Sequence, residues 1–394
     1  MYTVNKNTKL VFNLLMLIGL VAMVVGFYKD PHRAWPSLMI NNYFFLAIAA
    51  FAIFFVALQY ASEAAWAITV KRVAESITSY FIYGGIIMIL IVIAGILHFH
   101  DNHIWHWMAH GIMDPNDEHY DAIIHGKEAY LNPSSFLIRS IIYVFGWWFA
   151  AKKFKQLSKA EDDEGGLKNH KKAITISAIF IVFFGYTSSM MAWDWIMSID
   201  THWFSTLFGW FVFSSMGVTG FTAIALFSIY LKRKGYLEHV NENHIHDLGK
   251  WIFSFSILWT YMWFSQFMLI WYANIPEEVT YFLARWDNYN TLFWLTSAVN
   301  LLFPLILLMS RDGKRNFSFI IAIGVIILIG HWCNIYLMIA PGTLFEHWKI
   351  GFIEIGMFCG FLGLFLTIVH NSLTKTNLIP HNHPYIDEAK HHHI

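Results

Sequence analysis

Apolar positions run along this chain in long unbroken blocks, and ten of the blocks are long enough to cross a bilayer core of roughly 30 Å. They lie near 10–27, 41–69, 80–99, 135–150, 172–197, 205–231, 250–273, 288–309, 317–339 and 349–371. The first follows Lys6 and Lys9 and has no small-residue cleavage site behind it, so it is expected to stay as a helix. The pattern predicts an all-α polytopic membrane protein with ten transmembrane helices. Composition points the same way. The chain is 57% hydrophobic and only 13% charged, against about a quarter charged in a soluble domain.

Charge orients the blocks. Six basic residues (Lys29, Arg33, Lys127, Arg139, Arg285 and Lys349) fall on one side, leaving 20 of the 26 Lys and Arg on the side that holds both termini. The positive-inside rule makes that side cytoplasmic. Net charge is zero, which points away from nucleic acid and from a polybasic lipid switch. The only cysteines, Cys333 and Cys359, form no CxxC or CxxCH run. No covalently bound cofactor is expected, so any redox centre belongs to a partner or is held non-covalently.

The polar segments differ in character. The loop His98–Pro133 holds His98, His100, His103, His106, His110, His119 and His125 together with Asp101, Asp114, Asp117, Glu118 and Asp121. On a helix, His103, His106 and His110 would share a face. No closed ligand motif such as HExxH is present, so no metal site is expected, and a folded, interface-forming loop is the reading. Residues 152–172, with the run EDDEGG, read as a solvated linker. Residues 1–379 form the membrane domain and 380–394 a His-rich tail, either disordered or a docking strand.

Within the apolar blocks a few polar residues stand out. Asp194 lies between Trp193 and Trp195, with Met190, Thr187 and Tyr186 on its helical face. Gln59 and Glu63 share a face of the second block, with Trp66 beyond, and His98 closes the third. Gln266 sits in the seventh. Thr296 and Asn300 lie one turn apart in the eighth, where Pro304 leaves the Asn300 carbonyl without its helical donor. The motif GHWCN in the ninth carries His331 and Asn334. Glu354 opens the tenth, followed by Gly356, Cys359, Gly360 and Gly363, a surface suited to close helix packing.

Ionisable residues in a membrane are costly and mark functional positions. Glu63, Asp194, His331, Asn300, Thr187, Tyr186 and Glu354 are therefore candidates for a proton path. Hydroxyls that simply back-bond to their own helix are the competing explanation. His98, Asp194 and His331 are candidates for a quinone pocket. A bis-His haem would have only His98 and His331 to use. A proton-coupled secondary transporter would show matching broken helices in its two halves, and Pro304 has no counterpart in the first half.

With WDW at Trp193–Trp195, HFHDNHIWHW at His98–Trp107, RWDNYN at Arg285–Asn290 and GHWCN at Gly330–Asn334, the chain resembles the polysulphide-reductase-type (NrfD-like) integral membrane subunits. Among these it resembles the ten-helix subunits of bacterial alternative complex III, a quinol:electron-acceptor oxidoreductase, and the F-type more than the quinol-oxidising C-type. The resemblance implies two four-helix bundles, helices 2–5 and 6–9, flanked by helices 1 and 10, in the bacterial inner membrane. It implies as partners a homologous ten-helix subunit, an iron–sulphur cluster protein, multihaem and monohaem c-type cytochromes and a terminal oxidase, with quinol or menaquinol as donor. Haem c and iron–sulphur clusters would then lie in those partners. It assigns the relay role to Asp194, His331 and Glu63, with Glu354 fitting less well.

Overall fold

Residues 2–393 are described by a computed structural model. Ten helices in it are long and apolar enough to cross a membrane. They are α1 (Lys6–Lys29), α2 (Pro31–Ala61), α3 (Ala65–Ile96), α4 (Pro133–Glu164), α5 (Lys168–Ile199), α6 (Phe208–Arg233), α7 (Glu242–Ala273), α8 (Asn290–Leu307), α9 (Phe317–Leu344) and α10 (Phe352–Leu373). This is a multi-pass, all-α membrane protein.

Local chemistry sets many helix ends. The Asn132 side chain accepts from the Ser135 N–H, and Pro133 takes the first helical position, where its missing donor costs nothing. Asn241 closes a capping box at α7, and the Asn316 side chain accepts from the Ser318 and Phe319 N–H groups at α9. Asn274 ends α7 in the left-handed region, φ +48°, which asparagine tolerates.

The helices touch in two rings. One runs α2–α3–α4–α5 and back to α2, the other α6–α7–α8–α9 and back to α6, while α2 and α6 also meet each other. These two are the central helices: 83% and 89% of their most apolar stretches are buried within the protein, against 22% for α1. Helix α1 packs on α10 outside the rings. There the small-residue face of α10 carries the approach. A Cβ on Gly19 would stand 2.2 Å from the Gly360 Cα, so only glycine fits.

Both ends of the described chain lie on one face. Tyr2 reaches His370 at the end of α10, and Glu63 meets Tyr385 of the tail. The opposite face carries residues 97–132, which are folded. Trp105 and Trp107 are buried against Phe136, the Trp105 indole N–H donates to the Trp195 carbonyl, and His106 Nε2 lies 3.1 Å from the Gly342 carbonyl oxygen. The long loop therefore ties both rings together.

Three expectations need correction. Helix α2 stops at Ala61, and α3 already begins at Ala65, so residues 70–79 are helical rather than a loop. Lys71 and Arg72 are buried there because Glu161 and Asp162 of α4 pair with them, and Glu75 is buried against Arg72 of its own helix. Residues 152–164 are not a linker: α4 runs on to Glu164, with Glu161 buried, and only 165–167 connect it to α5. His103, His106 and His110 share no helix face, since only a single tight turn, His106–Met108, forms there.

Candidate functional site

Three polar groupings contain the candidate residues, and they do not join into one path.

The first lies under the long-loop face. Asp194, fully buried near the end of α5, accepts from Arg139 Nε at 2.8 Å and Nη2 at 3.0 Å, and from the Tyr143 hydroxyl at 2.7 Å. Arg139 stacks on Tyr130, 4.0 Å from its ring centre. Glu354 is engaged in the same manner. Arg33 Nε and Nη2 both donate to it at 2.8 Å, Ser37 at 3.1 Å and the Gly351 N–H at 2.7 Å. A third pair joins Arg285 to Asp200 at 3.2 Å. Forked guanidinium–carboxylate pairs fix orientation and occupy the acceptor oxygens. Asp194 and Glu354 thus sit in locks, with their lone pairs already committed. The locks join α4 to α5 and α2 to α10.

Two turns deeper, Thr187 accepts from the Trp147 indole N–H at 2.9 Å and donates to the Phe183 carbonyl at 2.6 Å. Below it the ring is filled by Phe54, Phe180 and Phe184. Tyr186, placed on the Asp194 face by helical counting, points outward and is 69% exposed.

The second grouping is in the α6–α9 ring. His331, midway along α9 and buried, has Nδ1 2.9 Å from the Ser215 hydroxyl, which Asn334 also approaches at 3.5 Å. Trp259 meets the imidazole edge-on, with ring centres 5.5 Å apart. Beside them a cavity of about 30 Å³ runs between Trp259, Gln266, Thr296, Asn334 and Arg285. That volume accepts a water. Gln266 Nε2 and Trp259 Nε1 are buried with no hydrogen-bond partner, as expected of groups that hold water. Asn300 stands apart: its Nδ2 donates to the Gly330 carbonyl at 3.0 Å.

The third grouping, which the sequence did not reveal, lies at the termini end of the α2–α5 ring. Glu161 Oε2 accepts from Lys71 Nζ and from the Tyr60 hydroxyl, both at 2.9 Å, while its Oε1 lies 3.2 Å from His170 Nδ1. Arg72 pairs with Glu75 at 3.1 Å and with Asp162. The tail closes the site, bringing in His383 with its ring 5.1 Å from that of His170. Burial beside Lys71 pushes the His383 imidazole down to about 3. Glu63 is corrected here. It is not intramembrane: it follows the end of α2 in a left-handed turn, φ +49°, with its side chain half exposed, 3.7 Å from His170 Nε2. The tail, too, is neither disordered nor a strand; it docks through a short helix, Ile386–Lys390.

Among the described residues no hydrogen bond, ion pair or ring contact joins the quinone candidates: Asp194 bonds Arg139 and Tyr143, His331 lies midway along α9 against Ser215 and Trp259, and His98 sits in the loop with its ring tilted against that of His110, ring centres 4.4 Å apart. His98 and His331, the pair a bis-His haem would need, share no contact either. His98, His103 and His110 instead cluster with one another, His103 also stacking on His32 at 5.9 Å.

The fold defines the class as a multi-pass membrane protein. The sequence matches no family model, and none of the curated proteins is significantly similar to it.

Proposed function

We propose that this chain is an integral membrane subunit of a bacterial respiratory quinol:electron-acceptor oxidoreductase, with both termini cytoplasmic. It supplies the membrane scaffold and a proton-handling pocket and carries no redox centre of its own. On this reading the two rings are the two four-helix bundles of polysulphide-reductase-type subunits, flanked by α1 and α10. The partners are a homologous ten-helix subunit, an iron–sulphur protein and c-type cytochromes, and the donor is quinol or menaquinol.

The observation that supports the proton role is the water-sized cavity lined by Asn334 and Trp259, the residues that in turn contact Ser215 and His331. It extends to Arg285, whose partner Asp200 is partly exposed on the long-loop face. A buried imidazole next to a hydroxyl and a water can pass a proton. Asp194 and Glu354 serve instead as locks that keep the partner-facing surface rigid.

Two measurements test this. The chain, purified from its own membranes through an affinity tag, is expected to bring c-type haem and iron–sulphur absorbance with it; recovery of the chain free of any redox partner would overturn the assignment. With the complex in vesicles, His331→Leu should assemble and lower the protons moved per quinol oxidised, while Asp194→Asn changes stability and leaves that ratio intact. An unchanged ratio in His331→Leu removes the proton role and leaves the scaffold.

A further inference from the structure

The buried cluster at the termini end has a composition that structural ion pairing does not use up. Glu161 comes from α4, His170 from α5 and His383 from the tail, and one ligand atom of each lies within 4.8 Å of the others. All three are buried. The two oxygens of Glu161 have separate duties: Lys71 and Tyr60 occupy Oε2, whereas Oε1 faces His170 alone. The 3.2 Å between His170 Nδ1 and Glu161 Oε1 is close to the edge of a tetrahedron with bonds of about 2.0 Å, roughly 3.3 Å.

A further observation points to a ligand. A cavity of about 20 Å³ borders two of the three residues, His170 and His383, together with Tyr60, Glu63, Lys71 and Tyr385, enough for one water. Charge favours a cation as well. The linked network contains four carboxylates, Glu63, Glu75, Glu161 and Asp162, and two fixed cations, Lys71 and Arg72. Its carboxylates thus outnumber its fixed cations by two, in a setting where only Glu63 is half exposed.

We propose that Glu161, His170 and His383 bind a divalent transition metal, zinc by preference, and that this ion fastens the C-terminal tail to the α2–α5 ring. Two imidazoles and one carboxylate form a donor set that suits zinc and its neighbours and is poor for calcium or magnesium, which take all-oxygen shells. A water in the cavity completes four-coordination. The ion takes the place of the contact between His170 Nδ1 and Glu161 Oε1, the His170 N–H then sitting on Nε2 beside Glu63 at 3.7 Å, while Lys71 keeps its place on the other oxygen. Because one ligand lies in the tail, metal and docked tail stabilise each other. The inference is independent of the proposed respiratory role, since it is read on the purified chain alone.

The full-length chain, purified in detergent through a tag without histidine and stripped with chelator, is titrated with Zn²⁺. One ion per chain is expected, with X-ray absorption showing two imidazole nitrogens and carboxylate or water oxygen at about 2.0–2.2 Å. His383→Ala should weaken binding by about 100-fold or more, since outer-shell losses alone reach that range. His170→Ala should do the same. The double variant His391→Ala/His393→Ala, altered in the same tail at two exposed histidines, should bind as wild type. Zn²⁺ should also slow proteolysis of the tail in wild type and not in His383→Ala. The proposal fails if wild type binds no stoichiometric Zn²⁺, if His383→Ala binds equally well, or if the double variant abolishes binding. His383 lies outside the membrane helices, so its variant carries the test should His170→Ala fold poorly.

Discussion

Replacing Arg139 by leucine should be among the most damaging single changes in this protein. Asp194 is fully buried and receives three charge-assisted or hydroxyl hydrogen bonds, two of them from Arg139. Removing the guanidinium leaves a buried carboxylate with Tyr143 as its main partner, a defect of about 3–5 kcal/mol. Removing the acid instead should cost less. The Arg139 side chain is 15% exposed near the long-loop face, so it can turn its head toward water; Asp194→Leu is therefore expected to lose about 1–3 kcal/mol. The double variant Arg139→Leu/Asp194→Leu replaces the pair with apolar volume and should recover at least about 2 kcal/mol relative to Arg139→Leu, because buried pairs barely outweigh their own desolvation. Reversible unfolding of the purified variants in mixed detergent measures all three. If Arg139→Leu unfolds within about 1 kcal/mol of wild type, or the double variant loses the sum of the two single losses, the lock is not what holds α4 to α5.

Two more outcomes follow from the geometry. A Cβ at Gly360 would stand 2.6 Å from the Gly19 Cα, while one at Gly185 meets nothing within 4 Å; Gly360→Ala should therefore lose about 1–3 kcal/mol and lower the unfolding midpoint, with Gly185→Ala unchanged or slightly stabilised. In the long loop, burial and the neighbouring His110 and His103 hold His98 below its ordinary value, and burial does the same to His106. Folding thus favours their neutral forms. That contribution is fully present above the unfolded value of about 6.5 and is lost as pH falls toward the lower folded values. Limited proteolysis of the detergent-solubilised chain should cut within residues 98–133 faster at pH 5 than at pH 7.5; equal rates would refute the linkage.

The ten spans were legible because lipid-facing and core positions are both apolar, so each helix announces itself by length alone. Boundaries were misread where charge lies inside a helix. Lys71, Arg72 and Glu75 look like a loop in isolation; Glu75 has Arg72 beside it, but only Glu161 and Asp162, some ninety residues later, make the burial of the two cations tolerable. The candidate carboxylates Asp194 and Glu354 were visible as intramembrane acids, but their partners were not. Arg139 lies 55 positions from Asp194, and Arg33 lies 321 from Glu354. Each arginine sits near a helix start, where the sequence reads it as an ordinary flanking charge. Glu161 and His170 were hidden by the acidic run around them, which has the composition of a solvated segment. His383 was hidden by a tail too short to show a pattern.

The two ends of the α2–α5 ring handle buried charge in different ways, and the difference bears on what each end can do. At the long-loop end the acids are matched one to one by arginine in forked geometry, which holds a single arrangement because each alternative breaks two bonds at once. At the termini end Glu161 is shared among lysine, tyrosine and histidine, groups that bond one at a time and turn independently. Such a network can lose one contact and keep the others, so it tolerates exchange of a proton for an ion or undocking of the tail. A rigid face suits permanent contact with a partner subunit, and an adaptable face suits a ligand that comes and goes. The apolar layer of Phe54, Phe180 and Phe184 keeps the two ends electrostatically apart: Tyr143 and Glu161, eighteen residues apart on α4, are separated by about 27 Å at helical rise. Charge changes at one end therefore leave the other undisturbed unless a helix moves.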